Sequence, residues 1–198
     1  MIGVSSYQNN EHLSISLFYT MKDIRKFWDA RTLLAIVASA IAVDTIGMFV
    51  WRYTAERDGP INTWYDEFGL VAYILDVLSI VIGMVLAQIV ASAIGGPFNV
   101  VAFLVIVVAI QMAHDIFFSQ VVVPLIPPGH NSIIDLMFTY GTMKGAEWVL
   151  VVDALYMIAT TASTLVLLEM PPYVSWFKII GWLYVTGYIL FTRTPVQT

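Results

Sequence analysis

Twenty residues stand between Arg31 and Arg52, and only one of them, Asp44, carries a charge. At about 1.5 Å of rise per residue, such a run makes a helix about 30 Å long, the thickness of one hydrocarbon core. Lipid offers no hydrogen bonds to the backbone, so a spanning run of this kind must satisfy its own N–H and C=O groups, as a helix does. Similar runs follow at 68–91, with Asp76 inside; at 98–119, with Gln111, His114 and Asp115 near its end; at 147–168, with Asp153; and at 173–191, with Lys178 near its start. The reading is an all-α integral membrane protein of five transmembrane helices.

Composition supports this. The 198 residues are 59% hydrophobic and only 12% charged, about half the charge fraction of a soluble domain. A net charge of −5 lacks the basic stripe of nucleic-acid binders, so no nucleic-acid partner is expected. With no Cys, the chain alone offers no disulfide framework, thiol redox centre or Cys-ligated metal. The N-terminal residues show no secretory h-region. Ile2 stands where a myristoylation signal needs a glycine directly after the initiating Met. No N-x-[ST] sequon occurs.

Residues 1–31 form an N-terminal segment. Between His12 and Arg31, Leu13, Ile15, Phe18, Ile24 and Phe27 alternate with Lys22, Arg25, Lys26 and Arg31, which predicts an amphipathic interfacial helix with snorkelling basic residues. A plain lead-in to the first span fits the same text. Four of the nine Lys and Arg lie in 22–31, which favours a cytoplasmic N-terminus.

The next two pairs of spans read as two similar hairpins, 32–91 and 98–168, with 173–191 outside the repeat. In the first, Asp44 sits late in a span, Asn62 and Asp66 follow in the loop, then Phe68, and Asp76 sits early in the next span. In the second, the order is Asp115, Asn131, Asp135, Phe138 and Asp153. Gly83 and Ala87 follow Asp76 at the spacing at which Thr160 and Thr164 follow Asp153. Those offsets share one helical face, where small residues allow close packing. A duplication of two-span units would relate the copies by an axis along the membrane normal.

This grammar puts Asp44, Asp76, Asp115 and Asp153 at a similar depth, about 10 Å inside one interface. Ionisable residues in spans are costly and normally face a partner, a water cavity or the bundle interior. The four are therefore expected to converge, neutralised by protons, by a basic group or by a cation. Gln111, one turn before Asp115, is placed to donate to it. His114 keeps a transition metal open, whereas oxygen ligands alone suit a hard cation such as Ca²⁺, Mg²⁺ or Mn²⁺.

Three readings stand. The carboxylates act as interhelical glue, with Arg52, Arg57 or Lys144 reaching in to pair with them; they form a proton or cation pathway; or they hold a metal for an enzyme. His130, His12, Glu147 and the scattered Met fit ordinary loop, interface and packing roles. No haem, flavin or nucleotide motif is present, and an interfacial Lys178 is unsuited to a retinal Schiff base. Beyond the lipid bilayer, the aromatic fifth helix is the candidate surface for other membrane subunits or for self-association.

Several stretches resemble a known family. Ile61-Asn62-Thr63-Trp64-Tyr65-Asp66-Glu67-Phe68-Gly69-Leu70 runs into Ala72 and then Asp76-Val77-Leu78-Ser79-Ile80-Val81-Ile82-Gly83. His114-Asp115-Ile116-Phe117-Phe118, Ile126-Pro127 with His130, Asn131 and Asp135, and Asp153-Ala154-Leu155-Tyr156-Met157 follow. Together, over roughly residues 40–168, they resemble an uncharacterised family of multi-spanning membrane proteins of large DNA viruses that infect algae and other protists. The resemblance implies a host or virion membrane. It gives weight to the expected function, a structural or assembly subunit of a larger complex whose Asp cluster holds the two hairpins together, with a small proton or cation channel or carrier as the alternative. It implies no mechanism.

Overall fold

The computed structural model describes residues 22–193, and among them the chain is helix and turn with no strand. Seven helices follow in order: α1 (Ala30–Thr54), α2 (Pro60–Phe68), α3 (Leu70–Ile94), α4 (Val100–Leu125), α5 (Ser132–Thr142), α6 (Trp148–Glu169) and α7 (Pro172–Ile189). Four of them, α1, α3, α4 and α6, are long and apolar enough to cross a membrane. The 18-residue α7, which carries Lys178 and several Trp, Tyr and Gly residues, is not among these four. The expected interfacial helix lies partly outside the described residues, and its described part, 22–29, forms turns rather than helix.

α1 is the hub. The apolar window of α1 is 61% buried against 17% for α4, so α1 is a core helix and α4 turns most of its side chains outward. Its enclosure follows from its sequence: Ala35, Ala38, Ser39, Ala40, Ala42 and Gly47 are buried and small, which lets α3, α6 and α7 approach its backbone. Gly47 is the extreme case, because a Cβ there would overlap the hydroxyl of Tyr156 on α6. Outward-facing positions are apolar instead, as with Ile74, Leu78 and Ile82 on α3 and Val101 and Val105 on α4.

Two faces close the bundle. On the N-terminal face, Lys22 Nζ and Arg31 Nη2 donate to the carbonyl of Leu168, and Arg31 also to that of Met170. These carbonyls end α6 and have no intrahelical donor, so cations there complete the helix. Gln88 Nε2 on α3 donates to Ile24 O, and Arg25 Nη1 to Gly96 O in the α3–α4 link. That link turns through Gly95 and Gly96 at φ 76° and 78°, a left-handed backbone that favours glycine.

The opposite face carries α2 and α5, which touch each other above the helix ends. α2 stands in what reads as a polar loop. Pro60 starts it and Gly69, at φ 52°, separates it from α3. α5 begins where Asn131 accepts from the N–H groups of Ile133 and Ile134. α4 runs past the expected end at 119 through a π-turn at Phe118–Val122. The ring of Pro124 would meet the carbonyl of Gln120 in a regular α-helix, and the wider turn relieves that clash.

Candidate functional site

Under α2 and α5 lies a cavity of about 400 Å³. α1 contributes Asp44 and Trp51, α3 contributes Asp76, α4 contributes Gln111, and α6 contributes Trp148, Asp153 and Tyr156. α2 roofs it with Trp64 and Tyr65, and α5 with Met137 and Tyr140. Trp148 is 66% exposed, so the cavity reaches the surface at the start of α6.

The carboxylates differ in how they are held. Asp76 Oδ2 accepts from Trp64 Nε1 at 3.0 Å and from the Tyr65 hydroxyl at 2.9 Å. Two adjacent residues of α2 can do this because Gly69 folds the short helix back over the first turns of α3. Asp44 is only 2% exposed, and its Oδ2 has no hydrogen-bond partner. A buried carboxylate oxygen without a donor carries a large desolvation cost. Asp153 is half-buried at the cavity wall, and the fields of Asp76 and Asp115 reach it, as those of Asp76 and Asp153 reach Asp44.

Asp115 stands one layer back. Its Oδ1 accepts from Gln111 Nε2 at 2.8 Å and contacts His114 Nδ1 at 3.0 Å, while its Oδ2 is buried without a partner. Gln111 thus joins Asp115 to the cavity that Gln111 lines. His114 is half-exposed outside the lining and stacks on Phe118 at 6.1 Å. No Arg or Lys among the described residues lies within ion-pair distance of any of the four. No group of three or more His, Asp or Glu among them is arranged to hold a metal ion.

Arg52 goes elsewhere, contrary to an inward pairing. It is 1% exposed, and its Nη1 donates to Asn62 Oδ1 at 2.8 Å while its Nη2 donates to Asp66 Oδ1 at 2.8 Å and to Leu190 O at 3.0 Å. Asn62 Nδ2 in turn donates to Glu56 O. The loop residues Asn62 and Asp66 therefore tie α2 to the ends of α1 and α7 and do not line the cavity. Asn131 and Asp135 do not line it either: Asn131 caps α5, and Asp135 accepts from the N–H of Gly129.

Sequence reasoning overlooked the aromatic walls. Trp51, Tyr156 and Trp148 sit in apolar runs, where aromatic residues usually mean packing or an interface belt, and Tyr140 sits in a loop helix. The available signal was Tyr156 one turn after Asp153, and Trp64-Tyr65 inside the Asn62–Asp66 segment. No family model, curated protein or solved structure matches the chain.

Proposed function

We propose that the chain is an integral membrane protein that binds a proton or cation at the Asp44–Asp76–Asp153 cavity and acts as a small carrier or channel. One observation carries this: Asp44, whose buried Oδ2 has no partner, lines a cavity shared with two more carboxylates. Interhelical glue would satisfy its acceptors, as Thr45 does with Tyr73 and Thr186 at 3.0 Å and 2.7 Å. Carboxylates that converge without basic partners leave their neutralisation to something that can come and go.

The architecture proposed with it is five spans, two similar hairpins and one further helix. The contact of Leu190 O with Arg52 supports it, since α7 then ends on the face where α1 ends. With the basic 22–31 segment on the cytoplasmic side, the cavity would open to the opposite side. The resemblance to viral proteins would make the membrane that of a host cell or virion.

A second reading, an assembly subunit, draws on α7, which exposes Trp176, Phe177, Ile180, Tyr184 and Tyr188. Flux through liposomes separates the two. Proton and monovalent-cation flux above that of empty vesicles, lost in Asp76→Asn and Asp153→Asn, is expected. Equal flux in wild-type and empty vesicles would sink the transport reading and leave the assembly reading.

A further inference from the structure

The cavity has more room and more aromatic wall than a proton or a bare metal ion requires. Its volume of about 400 Å³ falls within the range of small-molecule sites, about 300–1,000 Å³. Six aromatic side chains reach it: Trp51, Trp64, Trp148, Tyr65, Tyr140 and Tyr156. Indole and phenol faces attract cations, most strongly where water is excluded. The carboxylates are spread over different walls rather than gathered into a coordination shell, since no metal-holding group of three or more acidic or His residues occurs among the described residues.

The hydrogen-bond inventory narrows the ligand further. Asp76 already accepts from Trp64 and Tyr65, which leaves the half-buried Asp153 and, deeper, Asp44 with a buried oxygen that no donor reaches. A ligand that completes the site must bring an N–H or O–H to Asp44, positive charge to offset the carboxylates, and an apolar body for the aromatic walls. Protonation of Asp44 alone would add a hydroxyl that itself needs an acceptor, and it would leave the rest of the cavity unused.

We propose that this cavity binds an organic primary or secondary ammonium cation, whose N–H groups donate to Asp44 and whose apolar body lies between Tyr140, Trp148 and Tyr156. This rests on the cation-binding reading above and names the class of cation. Entry is at Trp148, the exposed member of the lining.

Calorimetric titration of the full chain in lipid nanodiscs tests it, with phenethylammonium chloride as probe, 2-phenylethanol as its neutral counterpart, and sodium and calcium chloride as the metal arm. Saturable binding of phenethylammonium is expected, with none of 2-phenylethanol, and Asp44→Asn should weaken it about tenfold or more. Trp148→Ala removes only a rim side chain and should also weaken phenethylammonium binding. It carries the test if Asp44→Asn does not yield monodisperse protein. Asp44-dependent binding of sodium, calcium or protons without phenethylammonium binding would overturn the ammonium assignment and leave the cation reading intact. Equal binding of 2-phenylethanol would overturn the assignment as well. The absence of Asp44-dependent binding by every cation tested, together with no Asp44-dependent proton uptake when the same nanodiscs are acidified, would overturn both.

Discussion

The hairpin α1–α3 carries Asp44, Asn62, Asp66 and Asp76, the hairpin α4–α6 carries Asp115, Asn131, Asp135 and Asp153, and the two use them differently. Eight residues after Asp44 stands Arg52; eight after Asp115 stands Val123. In the first hairpin the guanidinium gathers Asn62, Asp66 and the end of α7. In the second, lacking that cation, Asn131 and Asp135 satisfy backbone N–H groups of their own loop. Trp64 and Tyr65, between Asn62 and Asp66, donate to Asp76. Ile133 and Ile134, between Asn131 and Asp135, have no donor for Asp153. One side of the cavity is thus fixed by side-chain hydrogen bonds and the other is left available, an asymmetry suited to a site that must both hold shape and admit a ligand.

The largest effect that could break this comparison lies at Arg52. Arg52→Ala removes charged hydrogen bonds to Asn62, Asp66 and Leu190 O, worth about 1.5–3 kcal/mol each, while Asp66 keeps Arg193 at 3.4 Å and Asn62 keeps Glu56 O. Thermal unfolding in detergent should register a loss of at least that size, with α2 detaching from α1 and α7. Asp135→Ala, at the matching position of the other hairpin, removes only contacts to one exposed loop N–H and should cost about 1 kcal/mol or less. Equal losses would mean that the hairpins are held in the same way.

A second contrast concerns how closely the two helices of the first hairpin, α1 and α3, meet α6. At Gly47 a Cβ would overlap the Tyr156 ring and hydroxyl, so Gly47→Ala must push Tyr156 away from the cavity, at about 1–3 kcal/mol for overpacking. At Gly83 the obstacle is Met157 Cε, 2.8 Å away, the free end of a flexible side chain. Gly83→Ala also gains helix propensity, so it should fall within about 1 kcal/mol of wild type. Chemical denaturation of both variants measures the difference. Gly47→Ala should in addition impair ligand binding, because Tyr156 lines the site.

These contrasts mark where sequence reasoning ends. The long apolar runs were readable because a bilayer imposes length and hydropathy on a helix whatever its partners. Convergence of all four span carboxylates was expected because such groups have few tolerable surroundings; Asp44, Asp76 and Asp153 line one cavity, whereas Asp115 stands behind Gln111. α2 was missed because nine residues with Asn62, Asp66 and Glu67 show no apolar run, although Pro60 and Gly69 punctuate both ends. The destinations of Lys22 and Arg31, carbonyls more than 130 residues away, follow from tertiary packing that no local spacing encodes. The fit of Tyr156 against Gly47 is of the same kind: a small residue signals a close approach but does not name the neighbour.

The Asn pair sharpens the comparison at smaller scale. Asn62 is 1% exposed and uses both ends of its amide, accepting from Arg52 and donating to Glu56 O. Asn62→Ala leaves part of a buried guanidinium unsatisfied and should cost about 1–3 kcal/mol. Asn131→Ala removes an exposed N-cap, worth about 1 kcal/mol. Thermal shifts of the two single mutants are expected in that order, and the reverse order would show that the Arg52 network is dispensable.

The smallest effect separates the hairpins by charge at their first caps. α1 begins at Asp29, whose Oδ2 accepts from the Thr32 N–H at 3.0 Å and the Thr32 hydroxyl at 2.7 Å; α4 begins at the neutral Asn99, which accepts from the Ala102 N–H. The Thr32 hydrogen bonds hold the Asp29 carboxyl below its ordinary value. Its contribution is therefore fully present above the unfolded Asp value of about 3.9 and is lost as pH falls through the lower, folded value. Asn and Asp cap about equally well, so Asp29→Asn should leave stability at neutral pH within about 0.5 kcal/mol of wild type. It should also remove this part of the acid sensitivity, whereas Asn99→Asp should introduce it at the start of α4. Unfolding midpoints measured across the acid range read both effects, and unchanged acid sensitivity in Asp29→Asn would show that the first hairpin owes none of its pH response to this cap.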